Sequence, residues 1–217
     1  YFTLMTATKA TIASSIKLPK TIIKCIAATT FIYAAIACPD TLAQPLPDDS
    51  GIINVKDYGA KGDGITDDTR AIQKAIQVVP RDNSKHVTIY FPKGTYVISN
   101  TLKWLDAKGN WWPYLGFEGE SRTQSVIKLK DYAPGFNDPS VAKAAIVTGS
   151  QNPKSDGGGN EGFRNSIYDL TVDTGIGNSG AIGIDYIANN KGAIRNVMIK
   201  GQGKYGLNFS RSWPGPN

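Results

Sequence analysis

Acidic and basic side chains are the residues of this 217-residue chain that could carry chemistry. The chain has one histidine and two cysteines, and both cysteines lie before residue 44, in the predicted signal peptide and cleavage region. This excludes cysteine–histidine catalysis and zinc centres with several His or Cys ligands. Serine–histidine–aspartate catalysis is disfavoured, because His86 opens a predicted strand and an edge role explains it. Paired carboxylates can hydrolyse glycosidic bonds, whereas acidic residues with Ca²⁺ and a basic residue can drive elimination beside a uronate carboxyl. The catalytic candidates, which the sequence does not pair, are Asp169, Asp185, Arg195 and Lys200.

An aromatic cluster surrounds Pro113 and supplies a second kind of candidate site. Aromatic rings present flat apolar faces with a polar rim, and sugar rings stack on such faces. The alternative is ordinary packing of a loop against the body of the fold. The predicted substrate-binding residues are Trp104, Trp111, Trp112 and Tyr114.

The stretch from Ile53 to Val79 has the pattern of a short strand, a glycine- and aspartate-rich turn and a helix. Apolar residues recur at helical spacing from Ile72, and either Thr66 or Asp67 is placed to cap the helix. Clustered carboxylates also suit Ca²⁺, but their spacing is not that of an EF-hand loop, and a turn with a helix cap explains them all. We therefore predict a structural motif and no metal site. Its residues are Asp57, Gly59, Gly62, Asp63, Gly64, Asp67 and Asp68.

The same stretch carries a resemblance to a known superfamily. Residues 54–69, NVKDYGAKGDGITDDT, followed by Ala71 and Ile72, resemble the first segment of pectate lyase superfamily proteins. That group includes rhamnogalacturonase/epimerase-like relatives of the family 28 and family 55 glycoside hydrolases, and some phage tailspikes. The phrase FPKGTYVIS at 91–99, and GFEGES at 116–121 with VIKL after it, are similar to further elements of the superfamily.

The resemblance implies an all-β fold, a right-handed parallel β-helix whose N-terminal end is covered by a capping α-helix. It does not imply one reaction, because the same segment precedes lyases, hydrolases and binding spikes. The family 28 pattern of Asn-Thr-Asp, Asp-Asp, Gly-His-Gly and Arg-Ile-Lys is absent, since the Asp-Asp pair at 67–68 lies in the predicted cap. In the resembling enzymes the catalytic coils come later, so the catalytic residues are expected beyond residue 217.

Internal repeats predict a solenoid independently of the resemblance. Residues 169–172 recur as 196–199, a step of 27, and residues 183–186 recur as 206–209, a step of 23. Periods in this range are typical of solenoids, in which each coil buries its apolar face on its neighbours. Asp169 and Asn196 fall at equivalent corners, where such side chains can bond the backbone of their own turn.

The N-terminal region predicts export. Residues 1–43 are interpreted as a signal peptide and cleavage region, 44–51 as a linker, and 52–217 as the N-terminal part of the β-helix domain. The apolar run Cys25–Ala37 is too short to span a bilayer comfortably, although a buried helix or a membrane anchor is the alternative. Cleavage after Ala37 would expose Cys38, which resembles a lipoprotein site, so a membrane contact is expected only if Cys38 is lipidated.

Charge argues against a nucleic-acid partner. The net charge is +6, but four lysines precede the first acidic residue, Asp40, and without them the chain has 20 basic and 18 acidic residues. No basic stripe of the kind that a phosphate backbone needs is evident.

These observations predict the N-terminal segment of an exported polysaccharide-active enzyme, a glycoside hydrolase or polysaccharide lyase acting on pectin-like or other cell-wall glycans. The alternative is a non-catalytic carbohydrate-binding or tailspike/adhesin-type β-helix protein, and a truncated chain without activity of its own is a third reading. The expected partner is a polysaccharide or oligosaccharide, and the expected location is secreted, periplasmic or cell-surface. No cofactor is certain, and Ca²⁺ is implied only if the reaction is a lyase elimination.

Overall fold

A computed structural model describes residues 50–79, 85–149 and 162–209. The predicted signal peptide over 1–43 and almost all of the predicted linker over 44–51 lie outside these residues, so both stay predictions. The described residues form one α-helix, one 3₁₀ helix and short strands, and none of their helices is long and apolar enough to cross a membrane. The elements are the 3₁₀ helix Val55–Tyr58, α1 (Thr69–Gln77), β1 (Ile52–Asn54), β2 (Asp63–Asp67), β3 (Val87–Phe91), β4 (Gly94–Ile98), β5 (Leu102–Lys103), β6 (Leu115–Gly119), β7 (Ser125–Leu129), β8 (Lys143–Val147), β9 (Ser166–Tyr168), β10 (Thr171–Asp173), β11 (Ala181–Asp185), β12 (Ala193–Arg195), β13 (Met198–Lys200) and β14 (Tyr205–Asn208).

The strands form three sheets, and every named pair in them is parallel. The first sheet has the order β1-β3-β6-β9-β12, the second β2-β4-β7-β10-β13, and the third β5-β8-β11-β14. Each full turn of the chain therefore contributes one strand to each sheet before the next turn stacks upon it. This is the arrangement of a parallel β-solenoid, and it confirms the predicted parallel, mostly β architecture.

The core lies between the three sheets and is built from stacked apolar side chains. In the first sheet Ile89 pairs with Phe117, and Phe117 pairs with Ile167, all three fully buried. Residues alternate between the two faces of a strand, so the inner row of one coil meets the inner row of the next. Burying a side chain of this size contributes about 1.5–3 kcal/mol, which makes the stacked rows the main source of stability.

The predicted repeats are confirmed by the register of the last two described coils. Thr171 pairs with Met198, and Ile184 pairs with Leu207, which are the steps of 27 and 23 residues read from the sequence. The corner prediction is corrected in one respect. Asn196 Nδ2 donates to Asp169 Oδ1 at 2.5 Å, so the two side chains bond each other across the coils instead of each bonding its own turn.

The glycine- and aspartate-rich stretch, which the sequence predicts to be a turn, is only partly a turn, because residues 63–67 form β2. Asp63 pairs with Thr95 and Asp67 with Val97, with a register irregularity between the two pairs. The flanking Gly62 has a φ of +63°, a conformation that glycine adopts without steric cost. The motif therefore supplies the first strand of the second sheet as well as a bend.

The predicted capping is confirmed in part. The helix begins at Thr69, so Thr66 and Asp67 precede it and Asp68 occupies the N-cap position, but the Asp67 carboxylate accepts from the Thr69 N–H at 3.0 Å. The buried Asp68 carboxylate makes no cap bond, because it accepts from the backbone N–H groups of Lys61 (2.7 Å) and Gly62 (3.0 Å). It thus joins the start of the helix to the preceding bend.

Helix α1 lies against the first strand of the third sheet. Its buried face carries Ile72, Ala75 and Ile76. The Gln73 side chain donates to the Lys103 carbonyl at 2.8 Å and accepts from the Lys103 N–H at 3.0 Å. The side-chain amide of Gln73 therefore makes the two hydrogen bonds to the β5 backbone that a preceding strand would otherwise make.

Candidate functional site

The four sequence-predicted catalytic residues lie on different parts of the solenoid. Arg195 ends β12 in the first sheet, Lys200 ends β13 in the second, and Asp185 ends β11 in the third. Asp169 follows β9 at a corner, where its backbone φ is +52°. The structure does not bring the four together into one cluster.

Contacts between successive coils explain the positions of Asp185 and Lys200. The buried Asp185 accepts from Asn208 Nδ2 at 2.9 Å, one coil further along the third sheet. Lys200 Nζ lies 3.4 Å from Asp173 Oδ2 on the neighbouring strand of the second sheet. Both contacts connect successive coils, so they stabilise the stack.

The predicted sugar platform is divided between core and surface. Trp104 has 0% and Trp112 2% of its surface exposed, and the Trp104 ring packs 5.0 Å from the ring of Phe117. Neither buried ring presents a free face to a sugar, because the apolar interior already covers it. Trp111 and Tyr114 are half-buried and remain accessible.

An open groove of about 400 Å³ lies on the outer face of the first sheet. It is lined by His86, Arg164, Ser166, Tyr168 and Lys191. Ser166 and Tyr168 belong to β9, and the other three residues shortly precede strands of the same sheet. Since these strands are parallel and in register, residues that precede them meet at one edge of the sheet. Below, the term first-sheet groove means these five residues.

A glycine forms the floor of the first-sheet groove. Gly116 pairs with Ser166 in the sheet, and a Cβ at position 116 would lie 2.6 Å from Ser166 Oγ and 2.8 Å from His86 Cε1. Any larger residue would displace both side chains. With glycine there, His86 Nε2 lies 3.3 Å from Ser166 Oγ.

The environment of His86 keeps its imidazole neutral near neutral pH. Burial lowers the pKa of His86, and the positive charge of Arg164 lowers it further, whereas a hydrogen bond with the Arg164 backbone opposes the shift. A neutral imidazole has one donor and one acceptor nitrogen. His86 and Ser166 therefore present an uncharged hydrogen-bonding pair.

Cations surround this pair. Lys191 lies in the groove, Arg164 holds its guanidinium 5.7 Å from the Tyr114 ring, and Arg195 lies 4.6 Å from the ring of Tyr168. None of the three forms an ion pair with a carboxylate in the described parts of the chain. Glu118, the in-register neighbour of Tyr168 on β6, is the acidic residue of this row.

The repeat contained a signal for this site that the sequence interpretation did not use. The step of 27 that relates Asp169 to Asn196 also relates Arg164 to Lys191 and Tyr168 to Arg195. His86, interpreted as a strand-edge residue, does precede β3 directly. Its proximity to Ser166 could not be read from the sequence, because the two residues are 80 positions apart and precede or belong to strands separated by β6.

Two aspartates of the first motif, Asp63 and Asp67, are held by hydrogen bonds. Asp63 accepts from the N–H groups of Ile65 and Thr66, bonds that lower its pKa to about 2. Asp67 accepts from Thr69 and from Ser99. Within residues 50–79, 85–149 and 162–209, no group of three or more His, Cys, Asp or Glu side chains could hold a metal ion.

Comparison with known proteins gives a match over most of the described residues. A family model described as rhamnogalacturonase A/epimerase, pectate lyase-like, matches residues 52–213. A probable glucan endo-1,3-beta-glucosidase of Arthroderma benhamiae is 31% identical over 169 residues, covering 69% of this chain and 17% of that protein. The pre-neck appendage protein of Bacillus phage phi29 is 33% identical over 100 residues, covering 46% of this chain and 10% of that protein.

A solved structure supports the fold. The Geobacillus virus E2 protein ORF18 superposes with a TM-score of 0.51 and 21% identity, over 84% of this chain and 29% of that chain. At that identity the similarity concerns the fold alone. The chain spans less than a fifth of the length of the two relatives above.

Proposed function

The chain belongs to the rhamnogalacturonase A/epimerase, pectate lyase-like family, and from that premise we propose that it is the N-terminal segment of a polysaccharide-active enzyme. The glucosidase relative supports an activity on glycans. The observation that carries the proposal in this chain is the first-sheet groove. The catalytic residues are proposed to lie beyond residue 217, in keeping with the sequence prediction.

The groove has the chemistry that sugar recognition uses. Tyr168 offers an aromatic ring, Ser166 and His86 offer neutral hydrogen-bonding groups, and Arg164 and Lys191 offer donors. A sugar chain needs apolar faces and many hydroxyl partners together, which an open groove on a flat sheet provides along its length. The half-buried Tyr114 extends this surface through its contact with Arg164.

A second candidate is a non-catalytic carbohydrate-binding or tailspike/adhesin-type protein. The match to a phage appendage protein, 33% identical over 100 residues, favours it. In this case the groove would bind a glycan, and no bond would be broken.

One experiment separates the two functions. The full-length natural protein that contains these 217 residues is run in native gels that contain laminarin, polygalacturonate or alginate, and each glycan is also assayed for new reducing ends and for unsaturated products. Retardation with product release supports the enzyme, and retardation without product supports the binding protein. If no glycan retards the protein and none is cleaved, both candidates are wrong.

Export is proposed from the N-terminal pattern, with cleavage after residue 37 or 43. The intact mass of the protein recovered outside the cytoplasm measures this directly. A species lacking residues 1–37 or 1–43 is expected, with an added lipid on Cys38 if the protein is anchored to a membrane. Recovery of the complete chain from the cytoplasm alone would contradict export.

We propose that α1 caps the N-terminal end of a right-handed β-helix. The paired bonds between Gln73 and Lys103 support this, because they occupy the free edge of β5. Gln73→Ala is expected to lower the free energy of unfolding in urea by about 1 kcal/mol. Lys74→Ala, an exposed position of the same helix, is the control and should change it by less than about 0.5 kcal/mol.

A further inference from the structure

We propose that the first-sheet groove is an anion subsite, in which Arg164 and Lys191 bind the carboxylate or sulfate group of an acidic glycan. This inference rests on the proposed glycan function and adds the substrate class to it. The glucan-active relative does not suggest it, since it arises from the charges of this chain. The proposal depends on two cations, Arg164 and Lys191, which lie on adjacent coils beside the neutral pair of His86 and Ser166.

Backbone geometry places the two cations side by side. The Arg164 N–H donates to the Asn190 carbonyl at 3.1 Å, so residues 164 and 191 lie at equivalent places in successive coils. Adjacent parallel strands are about 4.8 Å apart, so the backbones of the two residues are close, and both side chains line the same groove. Both residues have positive φ angles, +55° and +65°, so the same corner conformation directs both. An anion bound in the groove would have two cations in its lining.

The two cations also lack carboxylate partners among the described residues. Both side chains belong to exposed residues, and neither forms an ion pair with a carboxylate in the described residues. A guanidinium can bind both oxygens of a carboxylate or sulfate, whereas the lysine ammonium contributes a point charge. Arg164 and Lys191 therefore suit one oxyanion between them.

The rest of the groove suits the sugar that carries the anion. Ser166 and His86 can bond hydroxyl groups without adding charge, and Tyr168 can stack with a ring. Glu118, which pairs with Tyr168 in the sheet, places a negative charge on the same face.

The test compares charge removal in the groove with the same removal elsewhere. Arg164→Gln, Lys191→Gln and the double variant are measured against polygalacturonate, alginate and iota-carrageenan by affinity electrophoresis at low salt. The double variant is expected to bind at least tenfold more weakly, and added NaCl should weaken wild-type binding more than that of the variant. Lys74→Gln on α1 and Lys128→Gln on the second sheet are the controls, expected to change binding less than twofold. Thermal unfolding midpoints within a few degrees of wild type show that the variants fold.

Each other outcome has a definite meaning. If laminarin binds as tightly as the acidic glycans and the groove variants change nothing, the anion subsite is wrong while the proposed glycan function stands. If no glycan binds, both fail. If single-stranded DNA binds as tightly as the glycans and depends on Arg164, the groove is a general polyanion surface and the glycan assignment is overturned. Preference for polygalacturonate or for carrageenan distinguishes a carboxylate from a sulfate ligand.

Discussion

In both the first and the second sheet, residues alternate between an inner and an outer face. The two outer faces differ in how their charged side chains are paired. On the second sheet, Lys128, Asp173 and Lys200 stand in register on successive strands. Both lysines have acidic partners on this face, since Lys200 pairs with Asp173 and Lys128 pairs with Asp131. On the first sheet the cations contact aromatic rings or line a groove, without ion pairs to described carboxylates.

The difference indicates which face pairs its charged side chains with each other and which face leaves its cations open to a ligand. A lysine that already has a carboxylate partner gains little from binding an external anion, because it must first lose that partner. An unpaired guanidinium has no such cost. The position of a face in a solenoid therefore says less about function than the pairing of the charges on it.

The largest expected effect comes from filling the floor of the first-sheet groove. Gly116→Ala places a methyl group within contact distance of Ser166 and His86, and both must move. Overpacking of this kind costs about 1–3 kcal/mol. Urea unfolding should show a loss in that range, and glycan binding should fall with it.

Gly206→Ala is the control for that substitution. Gly206 lies on β14 of the third sheet, where a Cβ would meet only Ile199 at 3.5 Å, an ordinary contact. Its effect should stay within about 0.5 kcal/mol. Equal losses at both positions would show that the glycine is needed for strand conformation and not for the groove.

The next effect concerns the tyrosine of the groove. Tyr168→Leu keeps apolar bulk but removes the ring, and we expect glycan binding to weaken three- to tenfold, which corresponds to about 0.7–1.4 kcal/mol. Tyr205 is a close control, because it also has a cation over its ring, Lys204 at 5.3 Å, but lies on the third sheet. Tyr205→Leu should leave affinity unchanged. If the two variants weaken binding equally, the contrast between faces does not hold.

A smaller effect is expected from pH. Burial and the charge of Arg164 lower the pKa of His86, so the folded protein binds fewer protons than the unfolded chain just below pH 6.5. Stability should therefore fall as the pH drops from 7 to 5, by less than the loss from Gly116→Ala. His86 is the single histidine, and the aspartates with lowered pKa values affect stability only below about pH 5. His86→Gln should remove the decrease between pH 7 and 5, and an unchanged slope would assign it elsewhere.

The parallel, mostly β architecture was predictable because each coil pairs with the next coil of the chain, so steps of 27 and 23 residues are visible in the sequence. The step from Asp169 to Asn196 sets the register of a whole coil, and the structure confirms it. The site was less predictable. Trp104 is buried in the core, which its residue type alone did not reveal, and the contact of His86 with Ser166 joins residues 80 positions apart.

The smallest expected effect is on the second sheet itself. Lys128 and Asp131 form an ion pair of 3.2 Å with about a third of each side chain exposed, and such pairs contribute about 0.2–1 kcal/mol. A double-mutant cycle with Lys128→Gln and Asp131→Asn, measured by urea unfolding, should give a coupling in that range that fades in 1 M NaCl. Asparagine retains an oxygen for the Ile176 N–H, which now donates to Asp131 Oδ1, so the cycle isolates the charge. Glycan affinity should not follow this coupling. If breaking the pair creates new affinity for acidic glycans, internal pairing is what keeps the second face closed to anions, which is the strongest form of the contrast with the first.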